Sequence, residues 1–161
     1  MLKRICLLLL ALLTLGACQQ EEEKEQGSVA VANPFTTCET LTEAEKVAQF
    51  SLSIPEELRD CEGILFRAAN SPSLQLLEVV FPLEQGEVLL RKAPGSEDIS
   101  GVYTDFSTET EYCGSELSFT LLGDGEKDFL ALWQKDGYSY SIYAEEGVDA
   151  AVLQQWVYAT Q

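Results

Sequence analysis

The side chains able to do chemistry in this 161-residue chain are mostly carboxylates. The sequence holds 27 Asp and Glu, 10 Lys and Arg, five Cys and no His. Without His, it lacks the usual general base of Ser and Cys hydrolases and the commonest zinc ligand. It also lacks a Gly-x-Ser-x-Gly elbow, a Ser-x-x-Lys pair and a Walker phosphate loop. The catalytic possibilities left are carboxylate pairs and acidic metal sites. A carboxylate pair works only at a fixed distance between the two groups, and the sequence does not show that distance.

One acidic loop has residues of the type that bind calcium. Asp124, Glu126 and Asp128 could supply oxygens to Ca²⁺, but the loop lacks the twelve-residue EF-hand pattern with its closing Glu. A solvated hairpin loop is the favoured interpretation. We therefore expect no metal and no cofactor.

Two neighbouring cations and two tyrosines are the candidate ligand contacts. Arg91 and Lys92 precede a Pro-Gly pair and could together hold an anionic group. The favoured alternative is structural: a strand end, a turn and one helical turn begun by Ser96. Tyr138 and Tyr143 are the aromatic residues best placed for an exposed contact with a sugar or peptide.

A short apolar leader opens the chain. Lys3-Arg4 precede an apolar run from Ile5 to Leu15, and two small residues stand before Cys18. At about 1.5 Å per residue the run is too short to cross about 30 Å of hydrocarbon, so it indicates a cleaved signal. The stretch that ends at Cys18 resembles the lipobox of bacterial lipoproteins. This resemblance implies a diacylglyceryl group, a palmitate-type anchor, on Cys18 and cleavage just before it. The alternatives are an ordinary secretory signal or an uncleaved anchor.

Charge and length divide the chain into three parts. We predict a signal peptide over 1–17, a lipidated Cys with an acidic flexible tether over 18–33, and one globular domain over 34–161. Without the leader the charge is 8 − 27 = −19, because the leader carries two basic residues and no acidic ones. Such a charge disfavours nucleic acid and anionic lipid surfaces. It also favours a monomer.

Three cysteines remain for the globular domain. Cys38, Cys61 and Cys113 permit one disulfide with one thiol left over, in three pairings, in an exported setting. Cys61 and Cys113 both fall at strand ends, so their pairing is the one we expect. Buried free thiols are the alternative.

Hydrophobic patterns predict a short helix, a series of strands and a closing helix. A capping box at Thr40 to Glu43 begins a helix from Leu41 to about Phe50. Turn residues at short spacing indicate an antiparallel meander. The predicted strands are Gly63–Ala69, Leu74–Pro82, Glu87–Lys92, Thr108–Cys113, Glu116–Leu122, Phe129–Lys135 and Tyr138–Ala144, and the closing helix is Val148–Ala159.

The last hairpin gives a register prediction. Asp136-Gly137 between two strand patterns predicts a two-residue turn. The turn places Trp133 opposite Tyr140, Ala131 opposite Ile142 and Phe129 opposite Ala144. We expect Phe129, Trp133, Tyr140 and Ile142 to face the core.

The order of these motifs resembles DUF4367-type domains of exported proteins and lipoproteins of Firmicutes. The matching stretches are Glu39 to Lys46, Pro55 to Leu58, Arg91 to Gly101 and Trp133 to Tyr140 before an amphipathic helix. The resemblance implies a curved antiparallel sheet with helices at its ends. Together with the strand patterns it predicts an α+β fold: a sheet of about six or seven strands with a short N-terminal and a C-terminal helix packed on it. It carries over no catalytic residues.

These observations predict a membrane-anchored extracytoplasmic lipoprotein of the cell envelope that binds an envelope protein or a cell-wall ligand and is not an enzyme. An envelope sensor or an accessory subunit of a membrane complex is the alternative. A carboxylate-based hydrolase is the third hypothesis.

Overall fold

A computed structural model of the chain describes residues 33–160. The chain divides into two units, Met1–Ala32 and Asn33–Gln161, and the structure is described here for the second. The predicted leader, Cys18 and most of the tether lie outside the described residues. Among the described residues, no helix is long and apolar enough to cross a membrane.

The fold is α+β, built on one open antiparallel sheet. It has eight strands where six or seven were predicted, because the short edge strand β1 carries no hydrophobic pattern of its own. The strand order is β1-β2-β3-β4-β8-β7-β6-β5. The strands are β1 Thr36–Cys38, β2 Leu65–Ser71, β3 Leu74–Pro82, β4 Glu87–Pro94, β5 Thr108–Cys113, β6 Ser118–Gly123, β7 Asp128–Lys135 and β8 Tyr138–Val148.

The sheet consists of two meanders joined through β4 and β8. Strands β1 to β4 and strands β5 to β8 each pair consecutively, and β8 then pairs with β4. The segment 95–107 must therefore pass β8, β7 and β6 to reach the far edge, where β5 begins. We call this segment the connection. The helical turn predicted from Ser96 is wrong, since the connection contains bends and no helix.

Two helices cover one face of the sheet. Helix α1, Leu41–Ala48, begins at the predicted cap: the Thr40 hydroxyl accepts the Glu43 N–H at 3.2 Å. The helix ends two residues before the predicted boundary, because Gln49 adopts a left-handed conformation with φ of 67°. A 3-10 turn, Glu56–Leu58, follows, and helix α2 is Ala150–Ala159.

The hydrophobic core lies between these helices and one side of the sheet, which we call the helix face. Ala44 and Ala48 of α1 and Leu153 and Val157 of α2 are fully buried in it. Across the strands the core row runs through Ala68, Leu77, Tyr140, Trp133 and Phe119. The side crossed by the connection is the connection face.

The predicted register of the last hairpin is confirmed near its turn. Trp133 pairs with Tyr140 and Ala131 with Ile142, and the rings of Trp133 and Tyr140 stack with their centroids 5.1 Å apart. The predicted pairing of Phe129 with Ala144 is wrong. The register shifts between Asp128 and Leu130, and Phe129 is half-buried against Phe106. Between the pairs that Asp128 and Leu130 form with β8, β7 has one residue, Phe129, whereas β8 has four, Ala144 to Gly147, so the irregularity is larger than a single-residue bulge.

The predicted disulfide between Cys61 and Cys113 is wrong, because all three described cysteines are free. Cys61 precedes β2, whereas Cys113 ends β5, and five strands lie between β2 and β5. At about 4.8 Å per strand spacing, these two strands are on the order of 30 Å apart, whereas a disulfide joins Cα atoms less than about 7 Å apart.

Candidate binding surface

Arg91 and Lys92 lie on opposite faces of the sheet, because successive strand residues alternate. Lys92 is on the helix face, where its Nζ donates to the Ser51 carbonyl at 2.7 Å. Arg91 is on the connection face, where it contacts Glu78. The two cations therefore cannot hold one anion together, so the candidate joint contact is wrong, whereas the favoured interpretation of Arg91 and Lys92 as the end of a strand is confirmed. The alternation rule applied to β4 would have separated them from sequence.

Lys92 is buried among aromatic rings. Only 6% of it is exposed, and its Nζ lies 4.5 Å from the centroid of Tyr138, 5.0 Å from that of Tyr140 and 5.6 Å from that of Phe50. Burial lowers the pKa of Lys92, while Glu45 and Asp136 act in the opposite direction. This amine attaches the segment after α1 to the sheet.

The two candidate tyrosines are separated as well. Tyr138 is half-buried and its ring packs against Phe50 at 5.2 Å on the helix face. Tyr143, opposite Leu130 on the connection face, borders a hollow of about 300 Å³ beside Phe106 and Phe129. Of the four predicted contacts, Tyr143 borders this hollow, whereas Arg91, Lys92 and Tyr138 do not.

Arg91 belongs to a charged triad with Glu78 and Arg67, which sit side by side on β4, β3 and β2. Glu78 is fully buried, and its Oε2 accepts from Arg91 Nε at 2.7 Å and lies 2.6 Å from Arg91 Nη2. Arg67 forms an ion pair with the other carboxylate oxygen. A carboxylate buried on a strand carries a desolvation cost, which such partners offset.

The triad also fixes the connection. Arg91 Nη1 donates to the carbonyls of Ile99 at 3.1 Å and Ser100 at 2.5 Å. Gly101 makes this approach possible: its φ is +66°, and a Cβ there would lie 2.5 Å from Arg91 Nη1. The motif from Arg91 to Gly101 thus binds the connection to β4 of the same chain.

A groove of about 770 Å³ lies between the start of the connection and the strands β5, β6, β7 and β8. Its wall is Ser96 to Asp98. Gln134 Nε2 donates to the Ser96 carbonyl at 2.7 Å, and the Ser139 hydroxyl donates to the Gly95 carbonyl at 3.2 Å. The wall is therefore tied to the floor by side chains of β7 and β8.

The groove is lined by hydrogen-bonding oxygens. The lining contains hydroxyls of serine and threonine and four carboxylates, with no Lys or Arg. Leu132 adds an apolar area to the floor, and Tyr112, Leu117, Phe119, Trp133 and Tyr140 also border the groove. The hydroxyls are those of Ser96, Ser115, Ser118, Thr120 and Ser139, and the carboxylates are Glu97, Asp98, Glu111 and Glu116. Such a surface can accept hydrogen bonds and attract cationic groups.

Sequence reasoning missed this groove because its residues come from four separate segments of the chain. The one signal available was the absence of basic residues from 93 to 126. No group of three or more metal-ligating side chains occurs in the part of the chain that the structure describes.

The acidic hairpin loop is held by its own backbone. Asp124 Oδ1 accepts the N–H groups of Glu126 and Lys127, each at 2.8 Å. These bonds lower the pKa of Asp124, whereas burial and the nearby Asp124 charge raise that of Asp128. Asp124 thus closes the turn between β6 and β7.

Comparison of the chain with protein-family models, curated proteins and solved structures finds no match.

Proposed function

We propose that this chain is a lipid-anchored extracytoplasmic protein that binds a ligand in the groove and does not act by catalysis. The observation that carries the binding proposal is the groove itself, whose size lies within the roughly 300 to 1,000 Å³ of ligand pockets. Its oxygen-rich lining suits a ligand that donates hydrogen bonds or carries positive charge.

A thermal-shift screen of the purified chain in detergent tests the binding proposal. The probes are cell-wall fragments, sugars, peptides and cations. A ligand at about 100 times its Kd adds about 2.7 kcal/mol of stability to the folded state. We expect at least one probe to raise the Tm.

Two arginine variants locate the ligand. Ser118→Arg fills the floor of the groove, and Ser73→Arg places the same side chain on the exposed turn between β2 and β3. The ligand-induced rise in Tm should be lost in Ser118→Arg and retained in Ser73→Arg. A rise that persists in Ser118→Arg, or no active probe in the screen, refutes the proposal.

The anchoring part of the proposal depends on Cys18. The lipobox resemblance supports it, as does the strongly acidic sequence, which disfavours direct contact with anionic lipids. Metabolic labelling with a palmitate analogue should mark the wild-type chain and leave Cys18→Ala unmarked and outside the membrane fraction. Cys6→Ala is the matched control and should be labelled like the wild type. Labelling of Cys18→Ala would refute the anchor.

A further inference from the structure

The sheet has a free edge beside the groove. β5 pairs with β6 on one side, and among the described residues no strand lies on its other side. Every residue of β5 is half-buried or exposed. The outward N–H and C=O groups of such an edge can pair with another chain. β1, the opposite edge, has only three residues.

The region around this edge is acidic throughout. Glu109 and Glu111 of β5 alternate with Tyr112, which packs on Phe119 of the helix face, so both glutamates are on the connection face. The 34 residues from 93 to 126 contain eight acidic side chains and no Lys or Arg. The acidic residues are Glu97, Asp98, Asp105, Glu109, Glu111, Glu116, Asp124 and Glu126.

This charge argues against two other occupants of the edge. A second copy pairing through β5 would bring glutamates against glutamates, and like charges on neighbouring strands are destabilising. The chain's own segment from 19 to 32 holds four Glu and one Lys, so it has the same sign of charge. A positively charged partner has the opposite sign and is attracted.

We propose that an extended basic segment of a peptide or protein, with Lys or Arg at alternate positions, adds to the free edge of β5 as a further strand. The inference rests on the proposed function and names the ligand class of the groove. In an added strand every second side chain projects to the same face. Its basic side chains would lie beside Glu109 and Glu111, at the mouth of the groove.

Three labelled peptides as long as β5 test this proposal on the full chain. The first alternates Lys and Thr, the second alternates Glu and Thr, and the third repeats the first with N-methyl groups that block backbone pairing along one edge. By fluorescence anisotropy we expect saturable binding of the first peptide that weakens with added salt. The second and third should bind at least about tenfold more weakly. Hydrogen exchange of the β5 amides should slow when the first peptide binds.

Charge-reversal variants provide the second arm. Glu109→Lys with Glu111→Lys should weaken binding of the first peptide by about tenfold or more, and Glu62→Lys with Glu84→Lys, at exposed positions away from β5, is the matched control. All four glutamates are exposed, so the variants should keep the wild-type circular dichroism and unfolding midpoint.

Several results would overturn the inference. One is equal binding of the N-methylated peptide, which would mean attraction by charge alone. Unchanged affinity in the Glu109 and Glu111 variant is another, and self-association through β5 by light scattering is a third. If a screened ligand depends on Ser118 but no basic peptide binds, the inference fails while the proposed function stands. If neither binds, both fail.

Discussion

Replacing Arg91 by Met should destabilise the fold by about 3 to 5 kcal/mol, the usual cost of removing one partner from a buried ion pair. Glu78 is fully buried in the middle of β3, and Arg91 is its more buried partner, with 19% of its side chain exposed. Without Arg91 the carboxylate keeps only Arg67. The carbonyls of Ile99 and Ser100 lose their donor in the same variant.

The partner on the other side should matter much less. Arg67 is 35% exposed in its side chain, so water screens its attraction to Glu78. We expect Arg67→Met to cost about 1 kcal/mol or less. The test is the difference between the free energies of unfolding lost in Arg91→Met and in Arg67→Met, because both variants make the same change of side chain beside the same carboxylate.

Urea unfolding measures both effects. For a slope of about 1.5 kcal/mol per molar, a loss of 3 kcal/mol lowers the midpoint by about 2 M. Arg59→Met is the control, since Arg59 is exposed and its guanidinium donates to a backbone carbonyl, that of Ile54, rather than to a buried carboxylate. If Arg91→Met falls within about 1 kcal/mol of Arg67→Met, the assigned role of the triad is wrong.

Three other predictions follow from single contacts. Gly101→Ala should cost about 2 kcal/mol more than Gly137→Ala in urea unfolding, because both have positive φ but only at Gly101 would the Cβ meet a guanidinium; equal costs would contradict this. The free energy of unfolding of the wild type, taken relative to that of Lys92→Met, should increase as the pH rises towards 10.5. The lowered pKa means that Lys92 loses its proton at a lower pH in the folded state than in the unfolded state. A difference that does not change with pH would refute the burial of Lys92 as the cause of its lowered pKa. Mass spectrometry after alkylation should find exposed Cys113 modified before half-buried Cys38, whose pKa is raised by burial and then by Glu43; the reverse order would be incompatible with the fold.

Local patterns predicted most of the elements. The bounds of β3 and β5 match the predicted strands residue for residue, because turn residues flank both. The last hairpin kept its predicted register up to Leu130, since a two-residue turn fixes the pairing next to it. Beyond Leu130 the bulge depends on how β7 meets the long β8, and no local signal encodes it.

The candidate site was not predictable in the same way. The triad has one residue on each of three strands, and the groove lies between the connection and four other strands. Both sites therefore depend on the order of the strands in the sheet. Nothing near Pro94 indicates that the chain next crosses three strands before β5 begins. The resemblance to DUF4367-type domains stays a prediction.

The anchoring of the connection links stability to the proposed binding. Arg91 holds it at Ile99 and Ser100, while Gln134 and Ser139 hold its start, so the groove wall at 96–98 lies between two fixed points. A wall fixed at both ends loses little conformational entropy when a ligand binds beside it. The ion pair and hydrogen bonds that hold Arg91 in place therefore also preorganise the groove. Weakening the triad should lower ligand affinity even though Arg91 does not line the groove.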